Sequence, residues 1–269
     1  MKCRDIMRVL ERIAPVSWAE SWDNVGLLLG REERNVSRIL VTLDVTEEVV
    51  EQAVADQVDM IVSHHPLIFH GLKQISDHTA EGKKILRLAG HDISYYAMHT
   101  NYDVSGQGMA VAAAARLGMK DLELLKREQT VVMDGSARDI GAGRVGRLSE
   151  PVTLQNFCSQ VKNTFGLKTL RVWGKFPREE LLERAAILPG SGEDYLEAAM
   201  ESGAQVFLTG DIKYHRGMDA AERGLVILDC GHFGLEHIFT EEMERYLNSQ
   251  LSSNIEILIS EGKNPYTVV

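Results

Sequence analysis

The chain has 269 residues and a formal net charge of −10, and 44% of its residues are hydrophobic and 25% charged. This composition is typical of a globular protein of one large domain or two ordinary ones, and it excludes a largely disordered chain. The acidic balance disfavours nucleic acid as the main partner, because binding there depends on neutralising phosphates with lysine and arginine.

The cysteines and the apolar runs indicate the cellular compartment. Cys3, Cys158 and Cys230 are far apart and form no CxxC pair, so we expect neither a disulfide framework nor a zinc knuckle. Charged residues interrupt the first apolar positions, and no segment reaches the ~18 apolar residues of a membrane span. We therefore expect a cytoplasmic protein with no membrane contact.

The first part of the chain alternates helical and extended segments. Ile6 and Leu10 recur at helical spacing and predict an N-terminal amphipathic helix. Residues 38–43 (RILVTL) predict a strand, residues 46–57 a helix, and residues 59–63 (DMIVS) a second strand. A βαβ pattern of this kind favours a parallel or mixed sheet covered by helices.

The same pattern returns later in the chain. Residues 38–65 align without gaps on residues 184–211, at a constant offset of 146 (211 − 65). Residues 91–103 resemble residues 224–236 at an offset of 133 (236 − 103), since each is a predicted strand followed by a histidine and then a carboxylate. We therefore predict an α/β fold with two similar three-layer α/β domains in a tandem repeat. Their predicted bounds are residues 1–127 and 128–269, with the C-terminal tail able to pack on the first domain.

Two adjacent histidines, His64 and His65, end the second predicted strand. At a strand end both side chains can turn towards one cavity and diverge enough to reach two metal ions. The carboxyl ends of strands are also where open α/β sheets place their ligands. A turn with two exposed histidines is the alternative, so the pair alone is weak evidence for a metal site.

A histidine and a carboxylate lie four positions apart in the second repeat. If the helix predicted over residues 235–247 begins near His232, then His232 and Glu236 share one face and form a common metal chelate. A solvated pair on a helix is the alternative. Asp103 alone would be a helix cap, but it aligns with Glu236 and so becomes a further candidate ligand. Three neutral imidazoles and two carboxylates would leave two divalent ions with a net charge of +2 (4 − 2), suited to binding anions and activating water.

Other polar residues near these strand ends are candidate catalytic groups. Lys213 and His215 follow the strand end that aligns with His64 and His65, where they can clamp an anion or move protons. A polar loop is the alternative for both. His99 and Asp211 are also available for proton transfer.

Two glycine-rich segments admit simpler interpretations. Gly190-Ser191-Gly192 lies between a predicted strand and a helix, where it is a tight turn or a phosphate cradle. Residues 141–146 match GxGxxG in letters but open no predicted helix, so we exclude a dinucleotide-binding fold. The remaining polar candidates are interpreted as a loop residue and surface histidines: Asp44, His70, His78 and His91.

Five separated motifs resemble those of the Nif-three-like proteins, also catalogued as homologues of type 2 GTP cyclohydrolase I. They are Trp22-Asp23-Asn24-Val25-Gly26-Leu27, Ser63-His64-His65-Pro66, His99-Thr100-Asn101-x-Asp103, Thr209-Gly210-Asp211 and Gly231-His232-x-x-x-Glu236. The resemblance implies two similar α/β domains, a dinuclear metal site and a ring-shaped homohexamer. The family's ligands fall on His64, His65, Asp103, His232 and Glu236. The extra domain that longer members insert between the halves is missing from this sequence.

These observations leave three functional hypotheses. The first is a metal-dependent hydrolase that acts on a nucleotide or a related anionic heterocycle, with GTP ring hydrolysis as the named reaction. It requires two divalent ions per chain, and Zn, Fe and Mn are all compatible with the ligands. The second is a non-catalytic, ring-forming metal-binding adaptor, and the third is a phosphoesterase with the same metal chemistry.

Overall fold

The computed structural model describes residues 1–133, 135–175 and 177–268. These residues form two compact units. The first comprises Met1–Tyr102 with Phe239–Gly262, and the second comprises the described residues of Asp103–Ile238 with 263–268. The division of the sequence repeat at residue 127 stays a prediction. Among the described residues, no helix has the length and apolar composition needed to cross a bilayer.

Strands and helices alternate through much of the chain. The strands are β1 (Gly26–Leu29), β2 (Arg38–Thr42), β3 (Met60–Ser63), β4 (Ser94–Ala97), β5 (Lys120–Leu124), β6 (Gln129–Met133), β7 (Ser136–Ile140), β8 (Arg144–Val152), β9 (Arg171–Trp173), β10 (Leu182–Ser191), β11 (Val206–Gly210), β12 (Val226–Asp229) and β13 (Glu256–Ile259). The helices are α1 (Cys3–Leu10), α2 (Glu47–Ala55), α3 (Ala80–Gly90), α4 (Thr100–Asp103), α5 (Met109–Arg116), α6 (Leu154–Thr164), α7 (Leu196–Glu201), α8 (Tyr214–Glu222), α9 (His232–Glu236) and α10 (Phe239–Gln250). Short 3-10 turns occur at Val16–Trp18 and Glu193–Tyr195.

The sheet of the first unit has the order β1-β4-β3-β2-β13. Strands β13, β2, β3 and β4 are parallel, and β1 is antiparallel to β4. The central strand β3 is fully buried, with Met60, Ile61 and Val62 at 0% exposure. A strand covered on both faces carries a continuous apolar run, which explains why its sequence does not alternate between apolar and polar residues.

The sheet of the second unit has the order β5-β8-β10-β11-β12-β9. Strands β10, β11 and β12 are parallel, and β9 is antiparallel to β12. The succession β9, β10, β11, β12 therefore repeats the succession β1, β2, β3, β4 in both order and direction. Two antiparallel strands, β8 and β5, extend the sheet beyond β10, and β6 pairs with β7 in a separate hairpin.

The strand registers confirm the predicted repeat. Ile39 pairs with Met60 in the first unit and Ala185 with Val206 in the second, and both positions differ by 146 (185 − 39 and 206 − 60). The next strand differs from the prediction by one residue. Met60 pairs with Ser94 and Val206 with Val226, an offset of 132 (226 − 94) rather than 133. An extra residue before His232 restores the predicted offset, and Gly231, with a φ of +74°, lies at that point.

The structure confirms one predicted helix feature and contradicts another. The Thr46 side chain accepts a hydrogen bond from the Val49 amide at 3.3 Å and caps α2, as its position predicts. The continuous helix predicted over residues 235–247 is wrong, because α9 ends at Glu236 and α10 begins at Phe239. The physical reason is packing, since α9 lies against β10 and β11 of the second unit and α10 against β2 and β13 of the first.

Candidate metal centre

Three histidines of the first unit lie at the carboxyl edge of its parallel strands. His64 and His65 directly follow β3, and His99 lies two residues beyond β4. Because β3 and β4 are parallel neighbours, their carboxyl ends meet at one edge of the sheet. One potential ligand atom from each of the three side chains lies within 4.8 Å of the others. His64 is fully buried, and His65 and His99 are largely buried.

Each of these imidazoles is oriented through its Nδ1 atom. The Nδ1 atoms lie close to oxygen atoms: that of His64 at 2.7 Å from the Met98 carbonyl, that of His65 at 2.7 Å from Asp44, and that of His99 at 2.9 Å from Asp23. Carbonyl and ionised carboxylate oxygens only accept hydrogen bonds, so Nδ1 carries the proton and donates it. The lone pair of the neutral ring then lies on Nε2. Histidines that bind metals are held in this way by their outer hydrogen bonds.

Asp23 is the strongest of these orienting groups. Its side chain is 0% exposed, and it accepts hydrogen bonds from the Thr100 amide at 3.0 Å and the Thr100 hydroxyl at 2.5 Å. Burial opposes ionisation of Asp23, but the hydrogen bonds from His99 and Thr100 prevail and lower its pKa to about 2. Asp23 is therefore a carboxylate at neutral pH and holds the His99 ring by charge as well as by geometry.

The second unit carries a matching pair. His232 opens α9 three residues beyond the end of β12, and its Nε2 lies 3.1 Å from the Glu236 carboxylate one helical turn later. The two side chains therefore lie on one face of α9 at the expected i,i+4 spacing, and their role as metal ligands stays a prediction. The Nδ1 of His232 lies 2.8 Å from Asp211, so this histidine has the same arrangement as the three in the first unit. Glu236 is buried, and His232 is about one-third exposed.

The backbone around this pair is tightly packed. Gly190 has a φ of +80°, and a β-carbon there would overlap the Glu236 carboxylate. This close approach requires glycine at position 190 whether or not the Gly190-Ser191-Gly192 segment also cradles a phosphate, which stays a prediction. Asp211 is a non-glycine residue in the left-handed region, with a φ of +57°. Such conformations cluster at functional sites, where the surrounding structure maintains them.

The remaining predicted site residues occupy less enclosed positions. Asp103 is the last residue of α4. Lys213 precedes α8 and is 81% exposed, and its ammonium lies 3.3 Å from Glu193. His215 is exposed in the first turn of α8. The structure therefore places Lys213 and His215 at the predicted strand end, and their roles in anion binding and proton transfer stay predictions.

Two orienting carboxylates were missed by the sequence interpretation. The sequence interpretation treats Asp44 as a loop residue and names Asp23 only as part of a motif. Each contacts a histidine far away in sequence, with separations of 21 and 76 residues. The available signal for Asp44 was its position just beyond the carboxyl end of β2, beside the strand that leads to His64. His70, His78 and His91 are exposed, as expected.

The chemistry of these donors fits a divalent metal. Imidazole nitrogens with oriented Nδ1 atoms and a buried carboxylate are the ligand types that bind Zn, Fe and Mn in proteins. The protein is thus an α/β protein with two matched sheets, each with side chains at its carboxyl edge that could hold a metal ion.

Comparison with known proteins identifies the family. Residues 1–265 match the Duf34/NIF3 (NGG1p interacting factor 3) family, and the chain belongs to it. A GTP cyclohydrolase 1 type 2 homolog from Clostridium perfringens is 36% identical over 274 residues, covering 100% of both chains. The crystal structure of a Bacillus cereus protein related to NIF3 has a TM-score of 0.91 at 25% identity, covering 100% of this chain and 99% of that one. A Staphylococcus aureus hypothetical protein has a TM-score of 0.89 at 31% identity, with the same coverage. The predicted family and α/β fold class are therefore confirmed.

Proposed function

We propose that this protein is a dinuclear-metal-dependent hydrolase of a nucleotide, with a GTP cyclohydrolase type of reaction as the named activity. The observation that carries the proposal is the shared orientation of its histidines. In both units, the Nδ1 atom of a histidine near a strand end lies within hydrogen-bonding distance of an oxygen, which orients the imidazole ring. The names of relatives such as the Clostridium perfringens homologue support the choice of substrate class.

We assign His64, His65, Asp103, His232 and Glu236 as the ligands. That they serve one centre with two divalent ions is inferred from the sequence repeat and the family resemblance. When bound, such ions lower the pKa of water from 15.7 towards ~7 and so supply a nucleophile at neutral pH.

His99 is proposed as the proton-transfer group. Asp23 holds the Nδ1 proton of His99, so Nε2 is the atom that accepts a proton from the nucleophile and returns it to the leaving group. The buried carboxylate stabilises the imidazolium formed in between, as in other carboxylate–histidine pairs. Lys213 and His215 are proposed to bind the anionic tail of the substrate. The assembly proposed from the resemblance is a homohexamer in the cytoplasm.

The test is turnover of GTP by metal-loaded protein, followed by mass spectrometry. We expect slow hydrolysis that stops on chelation, returns when metal is restored, and is absent from His65→Ala. The control is His91→Ala, which removes an exposed histidine and should retain full activity. If the metal-loaded protein turns over no nucleotide above a metal-free sample, the hydrolase proposal fails and the adaptor hypothesis replaces it.

A further inference from the structure

An exposed tryptophan lies beside the histidine cluster of the first unit. Trp22 is 56% exposed, whereas Trp18, four residues earlier, is 7% exposed. The Trp22 ring lies 6.1 Å from the His99 ring in an edge-to-face arrangement. The His99 ring is in turn 5.2 Å from that of His64 and 5.6 Å from that of His65. The exposed indole is therefore one ring removed from the candidate metal ligands.

A second aromatic ring completes this surface. Phe69 lies 5.8 Å from Trp22 with an angle of 44° between the rings, and 6.2 Å from His99. Single exposed hydrophobic residues are common on protein surfaces and need no explanation. Here, however, two aromatic rings and an imidazole form one cluster at the edge of the site. We call Trp22 and Phe69 the aromatic shelf.

The shelf is held in place partly by the same short segment that orients His99. The Asn24 side-chain amide donates a hydrogen bond from Nδ2 to the Ile68 carbonyl at 2.6 Å, which fixes the loop next to Phe69. The Leu67 amide donates to the Tyr95 hydroxyl at 2.7 Å and anchors that loop to β4. Trp22, Asp23 and Asn24 are consecutive, so one short segment supplies a ring, orients His99 and anchors Phe69. Binding surfaces that are ordered in advance lose less entropy when a ligand is captured.

We propose that the aromatic shelf is a stacking subsite for the planar heteroaromatic ring of the small molecule that this protein binds. A flat heterocycle presents a π-face that stacks on an indole, whereas a ribose ring or an aliphatic chain has no π-face to offer. A ring stacked on Trp22 lies next to His99, the proposed proton-transfer group. The role of a bound ring in a reaction rests on the proposed function. The preference for a planar heteroaromatic ligand rests on the shelf itself.

The experiment compares two probes that share a phosphate and differ in the ring. Binding of guanosine monophosphate and of ribose phosphate to metal-loaded protein is measured by calorimetry, for wild type and for Trp22→Leu and Trp22→Phe. Trp22→Leu keeps an apolar side chain without a π-face, and Trp22→Phe keeps a ring. Ile75→Ala is the control, because it removes an exposed aliphatic group from the loop that carries Phe69.

We expect wild type to bind guanosine monophosphate at least about ten-fold more tightly than ribose phosphate. Trp22→Leu should weaken binding of the nucleotide by about ten-fold or more and leave ribose phosphate unchanged. Trp22→Phe should retain most of the preference, and Ile75→Ala all of it. Equal weakening of both probes by Trp22→Leu would overturn the proposal. So would a wild type that binds none of the common nucleoside monophosphates more tightly than ribose phosphate.

Turnover of GTP, measured on the same samples, separates this inference from the proposed function. If binding depends on the ring and requires Trp22 but GTP is not turned over, the stacking subsite is supported and the hydrolase proposal fails. If GTP is turned over and Trp22→Leu does not change the KM, the hydrolase proposal is supported and the stacking subsite is refuted.

Discussion

Replacing Asp23 with asparagine removes one charge from a fully buried position and tests how the site is held together. The pKa of Asp23 falls from an ordinary value of 3.8 to about 2, although burial opposes this. That difference corresponds to about 2 kcal/mol of preferential stabilisation of the carboxylate in the folded protein. Asp23→Asn keeps the shape but loses the charge, so we expect unfolding to require about 2 kcal/mol less at neutral pH.

The pH dependence of this stabilisation has a definite sign. A carboxylate whose pKa is lower in the folded state stabilises the fold above the pKa of the unfolded chain, and this contribution is lost as pH falls through the folded value. The difference in unfolding free energy between wild type and Asp23→Asn should therefore be constant from neutral pH down to about pH 5. It should shrink between that point and pH 2.

Urea denaturation of chelator-treated protein at several pH values measures this difference. The control is Asp77→Asn, because the Asp77 side chain is 78% exposed and its removal should change little. Asp23→Asn should also lose turnover while keeping its metal, since His99 loses its orienting charge. An unfolding midpoint equal to that of wild type at neutral pH would refute the assignment of Asp23 as an ionised anchor of His99.

Three further substitutions test separate parts of the site. Gly190→Ala should lose metal and stability, because its β-carbon would overlap Glu236. Gly203→Ala, at a similar φ of +73° with open space around it, should keep metal and cost only the backbone penalty of about 1–2 kcal/mol. Equal metal content in the two variants, by elemental analysis, would contradict the packing argument. His99→Ala should retain its metal but lose turnover, and loss of metal would make His99 a ligand instead. Lys213→Ala should weaken nucleotide binding in calorimetry with metal content unchanged, and unchanged affinity would assign Lys213 to the ion pair with Glu193 alone.

Much of the fold could be predicted because its signals are local. The apolar runs of β2 and β3 and the cap at Thr46 lie within short segments, and the repeat adds evidence from a second copy of the same pattern. The pair His232 and Glu236 was accessible for the same reason, because one helical turn fixes the spacing of two ligands.

The parts that could not be predicted depend on contacts between distant segments. Asp44 and Asp23 reach their histidines across 21 and 76 residues, and no periodicity in a single sequence marks such contacts. The break between α9 and α10 is also decided by tertiary packing, because the two helices bury their apolar residues against different sheets. The single extra residue at Gly231 escaped the alignment because β4 and β12, the two strands compared, have only four residues each and are too short to fix their register.

The metal content of the protein tests the proposed centre most directly. Elemental analysis of protein purified without chelator should give close to two divalent ions per chain. His65→Ala, Asp103→Ala and Glu236→Ala should each lose most of that metal, and His91→Ala, which alters an exposed histidine, should lose none. Full metal content in the three ligand variants, or a metal-free wild type that takes up no divalent ion, would contradict the proposed centre.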